Sequence, residues 1–249
     1  MSVKSEVSAS YTAAQLAQHG KKPVRLPPRV MMTGDFRSGS IGEAIRLSLS
    51  ADAQVESFAG NVRNGLLEGW FEDRDTLIMC HGVSHLDWFE DAPEDKVKEI
   101  IDVNLFGTYR MAAAFVRQTI DSDVRKRIII IGSMAHRMVL NGSAAYCASK
   151  AGLAMLVRCM AWELAPKGYD VYCIHPSNTL GTPMSFETME GLMRYRGLSM
   201  EEAHSYWNDS AIRKQSLTTQ EIADLVHYLL YSKTGYLSGT QLELTGGQR

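Results

Sequence analysis

Paired cysteine motifs, long apolar runs and an excess of either charge are all missing from this sequence of 249 residues. Each absence closes a class of function. The four cysteines (Cys80, Cys147, Cys159, Cys173) form no C-x-x-C pair and read as reduced, mostly buried thiols. Cys80 with His81 and His85 fits no common zinc spacing, so no metal site is expected. No stretch approaches the roughly 18 apolar residues of a membrane span. The N-terminal residues are polar and lack an apolar signal core, which points to a cytoplasmic protein. With 26 basic against 28 acidic residues the formal net charge is −2, so no nucleic acid or other polyanion is implied as partner. There is no internal repeat and no low-complexity tract.

What is present is a large apolar fraction, 45%, which suits one domain with a sizeable core. Residues 1–28 are rich in Ser, Ala, Gln and Lys and end in RLPP, where proline interrupts regular structure. This arm is expected to be flexible, or to hold a short surface helix from Tyr11 to His19. The domain proper then runs from 29 to 249. RVMMTG reads as a buried strand entering a Gly-rich turn, and IGEAIRLSLS carries helical apolar spacing. A strand is expected near Gln54 to Val62, a short helical link through Trp70, and a buried strand ending near Gly82. A long amphipathic helix follows from Pro93 to Ile120, then the strand RIIIIGS, the helix from Ala144 and the strand YDVYCIHPSNT. TQEIADLVHYLLYS forms a further helix and SGTQLELTGG a last strand. Strands alternating with helices predict an α/β fold, a doubly wound parallel sheet covered on both faces.

The most informative segment lies between Ile128 and Lys150. Tyr146 and Lys150 stand four apart on the expected helix, so the ammonium shares a face with the phenol. A nearby cation favours the ionised phenol, which makes a tyrosine usable as acid or base near neutral pH. Ser133, thirteen residues before Tyr146, follows the isoleucine strand. Its hydroxyl is placed to hydrogen-bond a substrate oxygen at the same spot.

This serine followed by YCASK resembles the short-chain dehydrogenase/reductase family and its YxASK wording. The resemblance spans about Arg29 to Gly247, weakly between Ser50 and Gly82 and strongly from Ile100 onward. It implies a Rossmann-type sheet, NAD or NADP, and a catalytic tetrad. DVNLFG is similar to the family's helix motif that carries the fourth member. The tetrad would be Asn104, Ser133, Tyr146 and Lys150, with Asn104 holding a water that leads to the lysine. Lys150 would also bind the nicotinamide ribose.

The cofactor end departs further from the family. TGDFRSGSIG lies between a strand and a helix, where glycine lets a pyrophosphate approach the backbone and the helix N-terminus favours an anion. The family's TGxxxGxG is lengthened here, and Ser40 stands for its middle glycine, as in the family's enoyl reductases. Gly34, Arg37, Ser40 and Ile41 are the expected contacts. Asn61-Val62 is the best match to the family's adenine-contacting Asp-Val, yet it comes only 27 residues after Gly34. One strand-helix unit is therefore expected to be missing or reduced. Arg37 and Arg63, with no well-placed acid, lean toward NADP, although Glu56 would be that acid in another alignment. LIMCHG stands where the family has LVNNAG, leaving Cys80 and Gly82 as backbone contacts. His81 reads there either as a core histidine or as an altered cofactor contact. HPSNTLGTPM looks like the segment that meets the nicotinamide, through Pro176 and Thr179 or Thr182.

Residues 184–215 occupy the family's substrate lid. Met184, Phe186, Met189, Leu192, Met193, Tyr195, Tyr206 and Trp207 form either a pocket wall or a core stripe. Arg194, Arg196 and His204 suit either an anionic substrate or solvent. The function implied is hydride transfer between a nicotinamide cofactor and a small carbonyl or alcohol substrate, with Tyr146 as acid or base. An epimerase or enoyl reductase, and a degenerate member that binds without turnover, are the alternatives. The helices around Asn104 and Met155 resemble those that pack four-fold assemblies in the family, so a homotetramer is expected, then a dimer.

Overall fold

The four inner strands of the described residues are buried almost throughout, and that fixes how the layers form. In the computed structural model, which describes residues 27–63, 68–209 (apart from the Trp207 side chain) and 213–247, six strands build one parallel sheet. They are β1 (Arg29–Gly34), β2 (Gln54–Phe58), β3 (Thr76–Cys80), β4 (Lys126–Ile131), β5 (Tyr169–Pro176) and β6 (Gln241–Leu244). The spatial order is β2-β1-β3-β4-β5-β6. Side chains alternate across a strand, so an unbroken apolar run feeds both faces. Ile128 and Ile130 of β4 enter one core with Met111, Phe115, Leu153 and Val157. Ile129 and Ile131 enter the other with Ile45, Leu49, Ile222 and Val226. Fully burying each such side chain is worth about 1.5–3 kcal/mol.

The first face is covered by α3 (Thr108–Thr119) and α4 (Ala144–Leu164), the second by α1 (Ile41–Leu49) and α7 (Thr219–Tyr231). α2 (Glu94–Ile101) starts after Pro93, with Glu94 and Asp95 in its first turn where the helix dipole favours acids. α5 (Pro183–Arg196) and α6 (Met200–Asp209) form the excursion before α7. Both α5 and α7 open with a capping box, Thr182 with Ser185 and Thr218 with Glu221.

Four local expectations change. β2 stops at Phe58 rather than reaching Val62, and Ala59 and Gly60 lead into turns. The described part of the link through Trp70 consists of turns, with Trp70 edge-on to Phe58 at 4.4 Å between ring centroids. The long helix around Asn104 is broken into α2, a π-helical stretch Asp102–Gly107, and α3. Cys173 is buried, but Cys159 faces outward from α4 and Cys80 and Cys147 are half-buried. The expected arm helix at Tyr11 to His19 lies outside the described residues.

β1 lies between β2 and β3, so sheet growth reverses there. In an open α/β sheet that reversal leaves a crevice beyond the carboxyl ends of the strands. β2 is the edge strand on this side, which fits a reduced cofactor half.

Candidate active site

The crevice is a cleft of about 530 Å³ that runs from the β1–α1 turn, past Lys150 and Tyr146, to the start of α5. Several elements place the polar groups along it. At the closed end, Ser40 caps α1. Its Oγ accepts the Glu43 N–H at 3.1 Å and donates to the Asp35 carbonyl at 2.8 Å. Gly34 sits where β1 and β3 nearly touch, since a Cβ there would stand 2.8 Å from the Cys80 carbonyl carbon. Arg37 is folded back on Asp35, with Nη2 at 2.8 Å from Oδ2, and this guanidinium holds the Asp35 carboxyl below its usual range. The Glu43 carboxylate accepts the Gly39 N–H at 2.7 Å. Thus one backbone donor of the Gly-rich turn is already engaged by an anion of the chain itself.

The middle of the cleft belongs to α4. Tyr146 and Lys150 both line it, with Lys150 Nζ 5.6 Å from the Tyr146 ring centroid. Lys150 donates to the Ile131 carbonyl at 3.4 Å. The groups near it are uncharged at neutral pH. Burial pushes the Cys80 and Cys173 thiols up to about 12 and His81 down to about 3. Its charge is therefore not cancelled by these neighbours.

Asn104 does not face solvent. The π-helical widening turns it inward, where it is buried; its Nδ2 donates to the Val83 carbonyl and to Ser149 Oγ, both at 3.0 Å, and its Oδ1 accepts the Val83 N–H at 2.9 Å. Asn104 thus ties the loop after β3 to α4, one residue before Lys150. His81 has local hydrogen bonds, Nδ1 2.8 Å from Thr33 Oγ1 and Nε2 3.0 Å from Thr108 Oγ1, and it is half-buried and lines the cleft between Cys80 and Gly82. It clamps β1 to the start of α3. Sequence reading had no signal for Ser149, Thr33 or Thr108, because these partners are distant in the chain.

Ser133 closes the far side of the cleft. Its Oγ accepts the Ala135 N–H at 3.2 Å, which leaves the hydroxyl proton to donate elsewhere. Cys80, Gly82, Pro176 and Thr179 line the cleft beside it, as do Arg37, Ser40 and Ile41. Thr179 donates to the Ser177 carbonyl at 3.1 Å, while the Thr182 hydroxyl is spent in the α5 capping box and on the Thr179 carbonyl. Asn61 and Val62 stand apart from the cleft. Asn61 Oδ1 accepts the Arg63 N–H at 2.9 Å, and Val62 is buried in the core against Gly107. Glu56 is paired with Arg74. From the lid, Met184 and Arg194 line the cleft, whereas Met189 and Leu192 are core and Phe186 is exposed. Arg196 lies over the Tyr206 ring at 5.0 Å.

No cluster of metal-ligating side chains occurs among the described residues, and no described helix is long and apolar enough to cross a membrane. The cleft does fit a dinucleotide: it lies at the switch point of the sheet, has a helix N-terminus at one end, and passes Lys150 at its middle. Comparison with known proteins agrees. The family profile described as enoyl-(acyl carrier protein) reductase matches residues 9–249. An uncharacterised NAD-dependent oxidoreductase of Mycobacterium tuberculosis is 31% identical over 94% of this chain and 89% of its own length. Sorbitol-6-phosphate 2-dehydrogenase of Escherichia coli is 25% identical over 83% of this chain and 80% of its own. An NAD+-bound xylitol dehydrogenase superposes with a TM-score of 0.78 at 20% identity, covering 89% of this chain and 99% of that one, a likeness of fold. With the family's Tyr-x-x-x-Lys on α4, its serine at the end of β4 and a profile match over nearly the whole sequence, the chain belongs to the short-chain dehydrogenase/reductase family of oxidoreductases.

Proposed function

We propose that the protein is an NAD(P)-dependent oxidoreductase that interconverts a small alcohol and its carbonyl compound, with Tyr146 as the acid or base. The observation that carries this reading is Lys150, a buried ammonium among uncharged groups, on the same helix face as Tyr146. A bound nicotinamide supplies the hydride acceptor or donor. The chain supplies position and proton. Backbone groups near Gly34, Ser40, Ile41, Cys80 and Gly82 hold the dinucleotide, Pro176 and Thr179 meet its nicotinamide end, and Lys150 takes its ribose. Ser133 donates a hydrogen bond to the substrate oxygen. Tyr146 gives that oxygen a proton on reduction and removes it on oxidation. Lys150 stabilises negative charge on the Tyr146 oxygen, and Asn104 keeps the Val83 loop and α4 in register so that a water reaches Lys150.

The 2′ preference rests on Arg37 and Arg63, the basis for NADP. Asp35 already holds Arg37 and Asn61 engages Arg63, so a 2′-phosphate has to draw either one away, and the Mycobacterium tuberculosis relative is named for NAD. NAD is thereby the competitor to measure. Calorimetric titration with NADH and NADPH separately decides between them and tests the whole reading. Binding of one, followed by its oxidation with ketones or reduction of its oxidised form with polyols and sugar phosphates, is the expected result. If neither binds at millimolar concentration, the dehydrogenase reading fails. A second reading, binding without turnover, is favoured by the Glu43 carboxylate on the Gly39 N–H; a nicotinamide that binds yet shows no turnover with any such substrate selects it. A homotetramer or dimer is the expected assembly, through the exposed faces of α3 and α4.

A further inference from the structure

Directly behind Ser133 lies a group of titratable side chains that hydride transfer does not use. His175 is fully buried near the end of β5, and its ring lies against Gly132, where a Cβ would come within 2.6 Å of Nδ1. His136, in the short 3-10 turn Met134–His136, stacks on it with 3.8 Å between ring centroids and 33° between planes. Gln241 and Glu243 of β6 share the same edge. The two Nδ1 atoms meet on the Ser133 carbonyl oxygen, His136 at 3.0 Å and His175 at 2.9 Å, while the Nε2 atoms face Glu243 and Gln241, and no metal-ligating cluster occurs among the described residues.

The hydrogen bonds assign the His175 proton. Gln241 Nε2 donates to the Gly239 carbonyl at 3.2 Å, which turns its Oε1 toward His175 Nε2 at 2.7 Å. Nε2 must then carry the hydrogen, and in the neutral ring Nδ1 is an acceptor. It accepts the Ser133 N–H at 3.2 Å. The same Nδ1 stands 2.9 Å from the Ser133 carbonyl oxygen, a contact between two acceptors while the ring is neutral and a hydrogen bond once it is protonated. One nitrogen therefore faces both sides of the residue that carries the cleft hydroxyl.

We propose that His175 is a positioning residue for Ser133: as the neutral ring it accepts the Ser133 N–H and holds the hydroxyl toward the substrate oxygen, and its protonation shifts the contact to the Ser133 carbonyl and withdraws that hydroxyl. This rests on the oxidoreductase reading of the cleft. The groups that face His175 set the balance. Burial, foremost, keeps it below the ordinary imidazole range, with His136 and Lys150 of α4 acting in the same direction. Gln241 and the Ser133 backbone act in the opposite direction. Glu243 is an anion nearby, but Arg137 neutralises it through two contacts of 2.8 Å, and His136 Nε2 lies 3.3 Å from it. Cys173, on the same strand face, is an uncharged thiol. His175 is thus neutral at pH 7 and is protonated only as pH falls.

Gln241→Glu tests this with almost no change in volume. A carboxylate against Nε2 favours the imidazolium, and opposite charges at such range move a titration by roughly one to three pH units. The acid limb of the kcat profile is expected to rise by at least about one pH unit, with KM for the nicotinamide unchanged. His175→Asn keeps a polar side chain that does not titrate. It should lower kcat roughly tenfold or more at neutral pH and lose that acid limb. An acid limb at the same pH in the wild type and both variants overturns the proposal. A second readout needs no substrate: the amide resonance of Ser133 and the ring nitrogens of His175 are followed by NMR through a pH titration of the wild type and Gln241→Glu. A shared midpoint that rises in the variant supports the proposal. A Ser133 amide that ignores the His175 titration overturns it, even for a protein that turns over nothing, so this failure is distinct from failure to bind NADH or NADPH.

Discussion

At the scale of single residues, burial controls the protons of Cys80, His81, Cys173 and His175 around the site. His81 shows the sign most clearly. Its folded value near 3 lies below the ordinary imidazole value of 6.5, with burial the main cause and the Lys150 cation the second. The unfolded chain therefore binds a proton that the folded chain refuses. Stability is complete above about pH 6.5 and falls by roughly 1.4 kcal/mol per pH unit as pH drops from there toward 3. Urea midpoints measured from pH 8 to pH 4 should decline over that window, and the decline should be shallower in His81→Gln, which does not titrate. Tyr146→Phe removes only a hydroxyl at the half-open middle of the cleft. It is expected to reduce kcat by a factor on the order of 10²–10⁴ while leaving calorimetric affinity for the nicotinamide within a few-fold; an active Phe variant would remove Tyr146 from the mechanism.

At the scale of elements, caps and close approaches decide where side chains end up. The capping box of α7 satisfies the Glu221 N–H through Thr218 Oγ1 and the Thr218 N–H through the Glu221 carboxylate. Thr218→Ala should cost about 1 kcal/mol, read as a lower urea midpoint. Gly132 is the opposite case. A methyl there meets His175 at 2.6 Å and Cys173 Sγ at 2.9 Å, both fully buried. Gly132→Ala is expected to destabilise by about 1–3 kcal/mol and also to impair turnover, since the displaced ring is the one that touches Ser133. A variant as stable and as active as the wild type would show that β5 yields easily at this point. The π-helical stretch around Asn104 belongs to the same scale: one widened turn converts a position on a helix into a strap across Val83 and Ser149.

At the scale of the whole molecule, exposed large apolar side chains are spread over the surface, and one group of them lies on adjoining helices. Met155, Cys159 and Trp162 share one face of α4 and are exposed, Trp162 at 86%. Phe106 and Tyr109, on the adjoining π-helical stretch and α3, are exposed as well. The proposed assembly would cover this surface with another subunit, since large contiguous apolar patches commonly mark interaction sites. Sedimentation velocity should report a homotetramer, or a dimer, and the pair Met155→Glu with Trp162→Glu should reduce the assembly while the far-ultraviolet spectrum persists. A monomeric wild type would leave these residues as mere surface.

Whatever depends on short-range pattern was legible in the residues alone. Short, nearly unbroken apolar runs specify β1, β3, β4 and β5. The four-residue step from Tyr146 to Lys150 sets them on one face of α4, and the position of Ser133 after the isoleucine strand puts it at the same cleft. The early arrival of Asn61-Val62 already signalled a short cofactor half, and β2 is indeed the sheet edge. Tertiary structure alone decided the rest. It buried Val62 in the core and locked His81 between Thr33 and Thr108. It also brought His175 to Ser133 across 42 residues of chain. Such pairings carry no local pattern, because a side chain chooses among hydrogen-bond partners only after packing has taken water away and left the nearest polar group as the sole alternative to an unsatisfied one.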